Sequence, residues 1–347
     1  MGLENILFLV LLGLGVGLFV RNIRRLSRSI LQGKPLGKLD RTKDRFMHML
    51  RLAFGQQKMH RNLLVGVLHL VVYLGFIIIN IELLEIVIDG IFGTHRVLAF
   101  LGSAYDFAIA AFEWFALSVI AAVLVFWFRR NIIHIARFRS AEMKGWPKLD
   151  ANLILVIEVV LMLLFLTMNA ADHALQLREE PHYPKAGLFP VSSALIPLFD
   201  SWSTANLILV ERSAWWAHIL GILGFLNYLY YSKHLHILLA FPNTFYAQLT
   251  PKGQFASNEV VTREVKAMLS MQEPDATQEI ERFGAKDVTD LTWLQLMNAY
   301  SCTECGRCTA ACPANQTGKL LSPRKIMMDT RDRAEILTKS KLDTATQ

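Results

Sequence analysis

The chain has 347 residues, of which 53% are hydrophobic, and its formal net charge is +7. Its mean hydropathy is +0.34, and its apolar residues fall in long runs that the core of a water-soluble domain does not need. This composition excludes an ordinary soluble domain and favours a protein that crosses a membrane.

Five segments contain the roughly 20 apolar residues that a helix needs to cross a bilayer. They are 3–20, 62–84, 105–128, 152–170 and 214–240. The first segment has no basic leading region, and arginines rather than a cleavage site follow it, so we interpret it as a retained helix. We therefore predict an all-α fold with a five-helix transmembrane domain over residues 1–240.

The basic residues are distributed unevenly between the loops. Residues 21–61 carry 12 Lys or Arg and 2 Asp or Glu, and residues 129–148 carry 6 and 1, whereas 171–213 has only 3 basic residues. The positive-inside rule then puts the N-terminus outside and the two basic loops and the C-terminal tail in the cytoplasm. Because these loops account for the pI near 9.2, we expect no nucleic-acid partner.

The composition changes after the fifth apolar segment. Residues 241–288 are polar and are interrupted by Pro and Gly, which indicates a cytoplasmic linker. Residues 289–300 predict a helix that Thr289 or Asp290 would cap. We predict a small α-helical domain over residues 289–347.

All four cysteines lie in one C-x2-C-x2-C-x3-C-P run, at Cys302, Cys305, Cys308 and Cys312. Four thiolates this close together match a 4Fe–4S cluster. A structural zinc site usually divides its ligands into two separated pairs, and disulfides between such near neighbours would be strained. In two-cluster ferredoxins the fourth cysteine serves the other cluster, so Cys312 either completes a lone cluster or indicates that the sequence is the front part of a longer protein.

Two basic residues lie near the cysteine run. Arg307 and Lys319 would raise the reduction potential of a cluster or dock an acidic electron carrier. The alternative is an ordinary solvated face.

Several histidines lie in or beside the predicted membrane helices, where neutral imidazole is the usual axial ligand of a b-type haem. His218 and His236 are 18 residues apart in the predicted fifth helix, which is five turns and roughly 27 Å, so they would share one face. His69 lies well inside the second helix, where a polar ring needs a partner. We predict the pairs His69–His218 and His60–His236 as ligands of one or two haems.

The assignment of His60 has an alternative. Nine residues separate it from His69, which turns an ideal helix by half a revolution, so both cannot face the fifth helix without a distortion. His60 would otherwise be an interfacial side chain beside Lys58 and Arg61, and His134 would replace it as the inner ligand.

Two acidic residues fall at membrane depth, Glu113 in the third segment and Glu158 in the fourth. A buried carboxylate is unfavourable there unless it is paired or hydrated, and such residues commonly carry protons. We predict proton handling beside a quinone site for both. The alternative for each is a buried hydrogen bond or a water-lined pocket.

Five stretches together are typical of one family. They are Trp215-Trp-Ala-His218, Tyr231-Ser-Lys-His-Leu-His236, Ala240-Phe-Pro-Asn243, Thr292-Trp-Leu-Gln-Leu and Tyr300-Ser-Cys-Thr-Glu-Cys-Gly-Arg-Cys. Over nearly its whole length the chain resembles bacterial membrane iron–sulfur oxidoreductases, which fuse a cytochrome b domain to a heterodisulfide-reductase-like ferredoxin domain. The helical part also resembles the cytochrome b subunit of respiratory nitrate reductase, in which helices two and five each supply two haem ligands.

The resemblance implies a multi-pass subunit of the bacterial inner membrane that passes electrons between a cytoplasmic redox protein and the quinone pool. Family members include candidate electron-transfer-flavoprotein:menaquinone oxidoreductases, so the implied partner is an electron transfer flavoprotein or a CCG-domain iron–sulfur subunit. Members usually carry a second cysteine run, which this sequence lacks; a truncated sequence would explain that.

Two other functions remain open. A quinol-oxidising subunit could feed a heterodisulfide- or sulfite-reductase-like complex. A membrane anchor with a structural metal is the alternative from another class.

Overall fold

The computed structural model describes residues 2–59, 62–133, 135–251, 253–254, 259–269 and 284–345. Over these residues the chain is helical, and the one β-type pairing is an isolated bridge between Lys34 and Thr292. The α-helices are α1 (Leu3–Leu31), α2 (Thr42–Met49), α3 (Leu63–Phe92), α4 (Ser103–Asn131), α5 (Trp146–Leu177), α6 (Thr204–Tyr228), α7 (His236–Phe245), α8 (Glu259–Leu269), α9 (Trp293–Tyr300), α10 (Arg307–Ala311), α11 (Pro313–Gln316) and α12 (Pro323–Ala345).

Five of the described helices, α1, α3, α4, α5 and α6, are long and apolar enough to cross a membrane. They correspond to the five predicted segments, which confirms the all-α class. Their ends differ from the prediction: α1 continues to Leu31 instead of stopping at 20, and α3 continues to Phe92 instead of 84. Apolar length marks only the part of a helix suited to lipid, whereas the helix itself continues until a cap such as Gly93, at φ 70°, ends it.

The prediction of one continuous helix over 214–240 is wrong. α6 ends at Tyr228, two 3-10 turns follow at Leu229–Tyr231 and Lys233–Leu235, and α7 begins at His236. The five-turn argument therefore does not apply, and His218 and His236 lie in different helices.

Asp150 of α5 explains the break. Its buried carboxylate accepts a hydrogen bond from the Tyr228 hydroxyl at 2.6 Å and another from the backbone N–H of Lys233 at 3.0 Å. The ammonium of Lys233 also donates to the carbonyl of Pro147 at 2.7 Å. The chain leaves the helical path because these bonds turn the backbone after Tyr228 toward α5.

The chain divides into two compact units. The first comprises Met1–Ile23 and Gln56–His234, and the second comprises Arg24–Gly55 and Leu235–Gln347. In the first unit the core includes Phe112, Phe165 and Trp215. This division differs from the predicted boundary at 240, because residues 24–55 belong with the C-terminal part of the chain.

Hydrogen bonds inside the second unit give the reason. The N–H of Lys34 donates to the carbonyl of Leu291 at 2.8 Å, and the carbonyl of Lys34 accepts from Trp293 at 3.0 Å. The hydroxyls of Ser29 and Tyr300 lie 2.6 Å apart. These long-range pairs attach the end of α1 and the segment after it to α9 and the residues just before α9. Sequence periodicity carries no signal for them.

The predicted caps of α9, Thr289 and Asp290, are wrong. Thr292 caps the helix, and its side chain and that of Gln295 form a reciprocal capping box. Residues Val288–Asp290 form a 3-10 turn of their own, which Asp287 caps.

Candidate functional site

The cysteine run forms a tight loop after α9. Cys302 and Cys305 lie in the loop, Cys308 lies in α10, and Cys312 separates α10 from α11. Glu304 and Gly306 have positive φ angles of 55° and 72°. These two left-handed residues fold the backbone back on itself, which lets a short loop contain closely spaced thiols.

Backbone N–H groups point at the sulfur atoms. The N–H of Glu304 donates to Sγ of Cys302 at 3.4 Å. Burial opposes ionisation of Cys305, but the N–H and the positive charge of Arg307 lower the pKa of its thiol below the usual value. Burial raises the pKa of the Cys302 thiol. This donor set suits thiolate ligation of iron.

No three His, Cys, Asp or Glu side chains in the described part of the chain stand close enough together to hold a single metal ion. A 4Fe–4S cluster has a different requirement, because each of four thiolates binds a different iron. The four cysteines fit such a cluster by donor type and by their placement in one short stretch, residues 302–312. Arg307 and Lys319, the two basic residues near the run, are both exposed.

A cavity of about 120 Å³ lies among α3, α4, α5 and α6 in the first unit. Its lining is mostly apolar and aromatic, and it includes His218, Glu82 and Glu158. A cavity near this size accepts a group about as large as a benzene ring. A haem macrocycle would require the lining side chains to move apart.

His218 is 3% exposed, and its Nδ1 lies 3.0 Å from the carbonyl oxygen of Leu161. A carbonyl only accepts, so Nδ1 carries the proton, and the neutral ring keeps its lone pair on Nε2. Metal-ligating histidines commonly have this hydrogen bond, because it fixes the tautomer and the ring orientation. His218 therefore fits an axial haem ligand by its donor chemistry.

His69 lies three residues before Val72, which lines the cavity, so the helical period puts it on the same side of α3. Its side chain is half-buried. His60 and His134 lie outside the described residues. His236 is the first residue of α7 in the second unit.

The sequence interpretation missed Glu82. Its side chain is 3% exposed, it lines the cavity, and its Oε2 has no hydrogen-bond partner in the described structure. The apolar segment was predicted to end at 84, which made Glu82 a terminal residue. Because α3 continues to Phe92, this carboxyl lies inside the helix. It therefore meets the criterion used for Glu113, an acidic residue within a membrane-length apolar helix.

Glu158 also lines the cavity, and its Oε1 lies 3.9 Å from Nε2 of His234. Glu113 does not line it. Its carboxylate accepts hydrogen bonds from the backbone N–H groups of Val191 and Ser192 at 2.8 and 3.0 Å and from Asn169 at 3.2 Å. These contacts match the alternative interpretation of Glu113, in which its carboxylate forms buried hydrogen bonds. Here they hold the loop at Val191 and Ser192.

Near Glu113 a guanidinium is buried among polar groups. Arg96 donates to Asp172 at 2.5 Å, to the hydroxyl of Tyr105 at 3.0 Å and to Asn169 at 3.0 Å. Burial alone would lower the pKa of Arg96, but the carboxylate of Asp172 raises it well above its usual value. The pair therefore stays charged and joins the loop after α3 to α5.

The comparisons with known proteins agree with an iron–sulfur site. The chain is 28% identical over 333 residues to a probable iron–sulfur-binding oxidoreductase, FadF, of Bacillus subtilis, covering 94% of this chain and 42% of the relative. It is 23% identical over 310 residues to the EtfAB:quinone oxidoreductase of Syntrophomonas wolfei, covering 87% and 39%. The chain thus spans about two fifths of these two relatives.

A third relative matches a shorter region. A probable membrane-anchored ferredoxin of Chromohalobacter salexigens is 44% identical over 46 residues, which is 13% of this chain and 7% of that protein. No protein-family profile matches the chain. No solved structure matches it either. The named relatives and the five membrane-length helices together support a membrane-associated iron–sulfur oxidoreductase.

Proposed function

We propose that the chain is an electron-transfer subunit that passes electrons between a cytoplasmic redox partner and the quinone pool. The observation that carries the proposal is the cysteine loop with its N–H···S contact, in a chain that has five membrane-length helices. The relative named EtfAB:quinone oxidoreductase supports an electron transfer flavoprotein as the partner and a quinone, menaquinone in our preferred version, as the acceptor.

Cys302, Cys305 and Cys308 would hold a 4Fe–4S cluster, with Cys312 as the fourth ligand. The cluster supplies one-electron transfer when it is bound. The chain contributes the backbone N–H donor at Glu304, which stabilises negative charge on the Cys302 sulfur, and the guanidinium of Arg307.

One b-type haem would be held by His218 and His69, and a second by His236 and His60. The donor state of His218 supports the first assignment, because its Nε2 keeps the lone pair that iron requires. The assignment of the second haem depends on the resemblance alone.

The cavity beside His218 is close in size to a quinone ring, so as it stands it fits a quinone, whereas a haem held by His218 would need the lining side chains to move apart. Reduction of a quinone consumes two protons as well as two electrons. Glu82 and Glu158 are the carboxyl groups that line the cavity and can exchange protons there. His234, which lies 3.9 Å from Glu158, would exchange a proton with it.

Optical and EPR spectra of the purified protein and its variants test the proposal. We expect a reduced b-type α band and an iron–sulfur EPR signal in the wild type. His218→Ala should remove the part of the α band that comes from the haem of His218 and His69 and should keep the EPR signal. Cys305→Ser should keep the α band and remove the EPR signal. His182→Ala, which changes an exposed histidine, is the matched control and should change neither spectrum.

The cavity assignment needs a separate measurement. Glu82→Gln should keep both spectra but slow the reduction of an added quinone at least tenfold, since the amide cannot carry a proton. A colourless wild-type protein that contains zinc would contradict the redox proposal as a whole. Loss of the α band in Glu82→Gln would contradict the assignment of the cavity to quinone.

A further inference from the structure

We propose that an ion pair between Glu304 and Arg331 positions the cluster loop and sets the reduction potential of its cluster. The inference rests on the proposed function, because it assumes that the cysteine run binds a 4Fe–4S cluster. Neither residue is a predicted ligand, and the function described above uses only the backbone N–H of Glu304, not the side chain of either residue.

Glu304 is an unusual residue for its position. It lies between Cys302 and Cys305, its φ is 55°, and its side chain is only 3% exposed. A residue with a Cβ rarely adopts this left-handed conformation, and an acidic side chain is rarely buried without a charged partner. Something in the fold must compensate for both features.

Helix α12 supplies the compensation. Nη1 of Arg331 lies 3.0 Å from Oε1 of Glu304, and the Arg331 side chain is 18% exposed. Arg324 is 1% exposed, and its Nη1 lies 3.5 Å from the carbonyl oxygen of Glu304. Because the two arginines are seven residues apart on a helix, they share one face and contact the carboxylate and the backbone of the same residue.

The contacts with α12 fix the direction in which the backbone N–H of Glu304 points. With its carboxylate and its carbonyl held by α12, Glu304 can point its N–H at Sγ of Cys302. A hydrogen bond to a cluster sulfur stabilises the reduced cluster more than the oxidised one, because the reduced cluster carries more negative charge. The charges of Glu304 and Arg331 also affect reduction of the cluster. A negative carboxylate near the cluster disfavours the added electron, and the positive guanidinium offsets this effect.

The pair therefore predicts potential shifts of opposite sign. Arg331→Gln removes the positive charge that pairs with the Glu304 carboxylate and should lower the reduction potential of the cluster. Glu304→Gln keeps an acceptor oxygen for Arg331 but removes the negative charge, so it should raise the potential. Arg331→Lys retains the charge and should restore a value near that of the wild type.

The chain offers a matched control on the same helix. Arg333 of α12 pairs with Asp287 at 2.7 Å, but the Arg333 side chain is 48% exposed. Arg333→Gln removes the same charge from the same helix without touching the cluster loop. It should leave the reduction potential unchanged.

The test is an EPR redox titration of the chain and these four variants, with iron content measured in each. A wild-type protein without iron would overturn both the proposed function and this inference. If the wild type shows the cluster signal but Arg331→Gln and Glu304→Gln shift the potential in the same direction, or not at all, the inference is wrong and the proposed function stands. If Arg331→Gln loses its cluster, Glu304→Gln decides: a raised potential supports the inference, and an unchanged or lowered potential overturns it.

Discussion

Arg96 shows how one side chain can hold a membrane bundle together. Its guanidinium is 7% exposed and meets Asp172, Tyr105 and Asn169 at 2.5–3.0 Å. A buried ion pair contributes little net stability compared with apolar packing, but removal of one partner leaves a buried charge uncompensated.

We expect Arg96→Met to lower the free energy of unfolding by about 3–5 kcal/mol, because Asp172 then loses its guanidinium partner and keeps only the side chains of His95 and Gln176. Thermal unfolding in detergent measures the change. Lys185→Met is the control, since Lys185 pairs with Glu179 on the surface, at 70% and 76% exposure, and should cost less than about 1 kcal/mol. Equal effects of the two substitutions would contradict the structural role of Arg96.

At the scale of elements, the contact between α1 and α3 depends on one glycine. A Cβ on Gly90 would lie 2.6 Å from two atoms of the Phe8 ring, which is 2% exposed. The ring therefore sits directly against the α3 backbone, and only glycine allows this approach.

Gly90→Ala should destabilise the protein by about 1–3 kcal/mol, because the aromatic ring is buried and has to move. The double variant Gly90→Ala, Phe8→Leu should recover part of the loss. Gly224→Ala is the matched control in α6, where a Cβ meets no atom within 4 Å, so helix propensity should make it neutral or stabilising by up to about 1 kcal/mol. The comparison is made by thermal unfolding, and a Gly90→Ala protein as stable as the wild type would exclude this packing role.

The elements also show where sequence reasoning succeeds and fails. The length of the apolar runs predicted the five long helices, because the solubility of a helix in lipid depends on its composition. It could not predict where each helix ends. Asp150 lies some 80 residues before the turn that it fixes, so no local pattern predicts that α6 stops at Tyr228. The cysteine run could be recognised from the sequence because its four cysteines are closely spaced, whereas the Arg331 contact with Glu304 joins residues 27 apart.

At the scale of the whole molecule, the positive-inside rule predicts the orientation in the membrane, and the structure offers sites to test it. Lys185 is an exposed residue in the loop between α5 and α6, which has few basic residues. Lys144 is an exposed residue in the basic loop between α4 and α5.

We expect a membrane-impermeant maleimide to label Lys185→Cys in intact cells and to label Lys144→Cys only after permeabilisation. The wild-type protein gives the background from its own cysteines in both conditions. Labelling of Lys144→Cys in intact cells would reverse the predicted orientation, and with it the proposal that the cluster faces a cytoplasmic partner.

The buried position of Glu304 links two processes that are usually measured separately. Its backbone N–H faces the sulfur of Cys302, and its carboxylate contacts a helix whose last residue is 41 positions further along the chain. Any free energy that iron gains from the ordered loop is shared with the docking of α12, since both need the same backbone conformation. Assembly of the proposed cluster and docking of α12 would therefore be coupled equilibria, and the affinity for iron would be partly a property of α12.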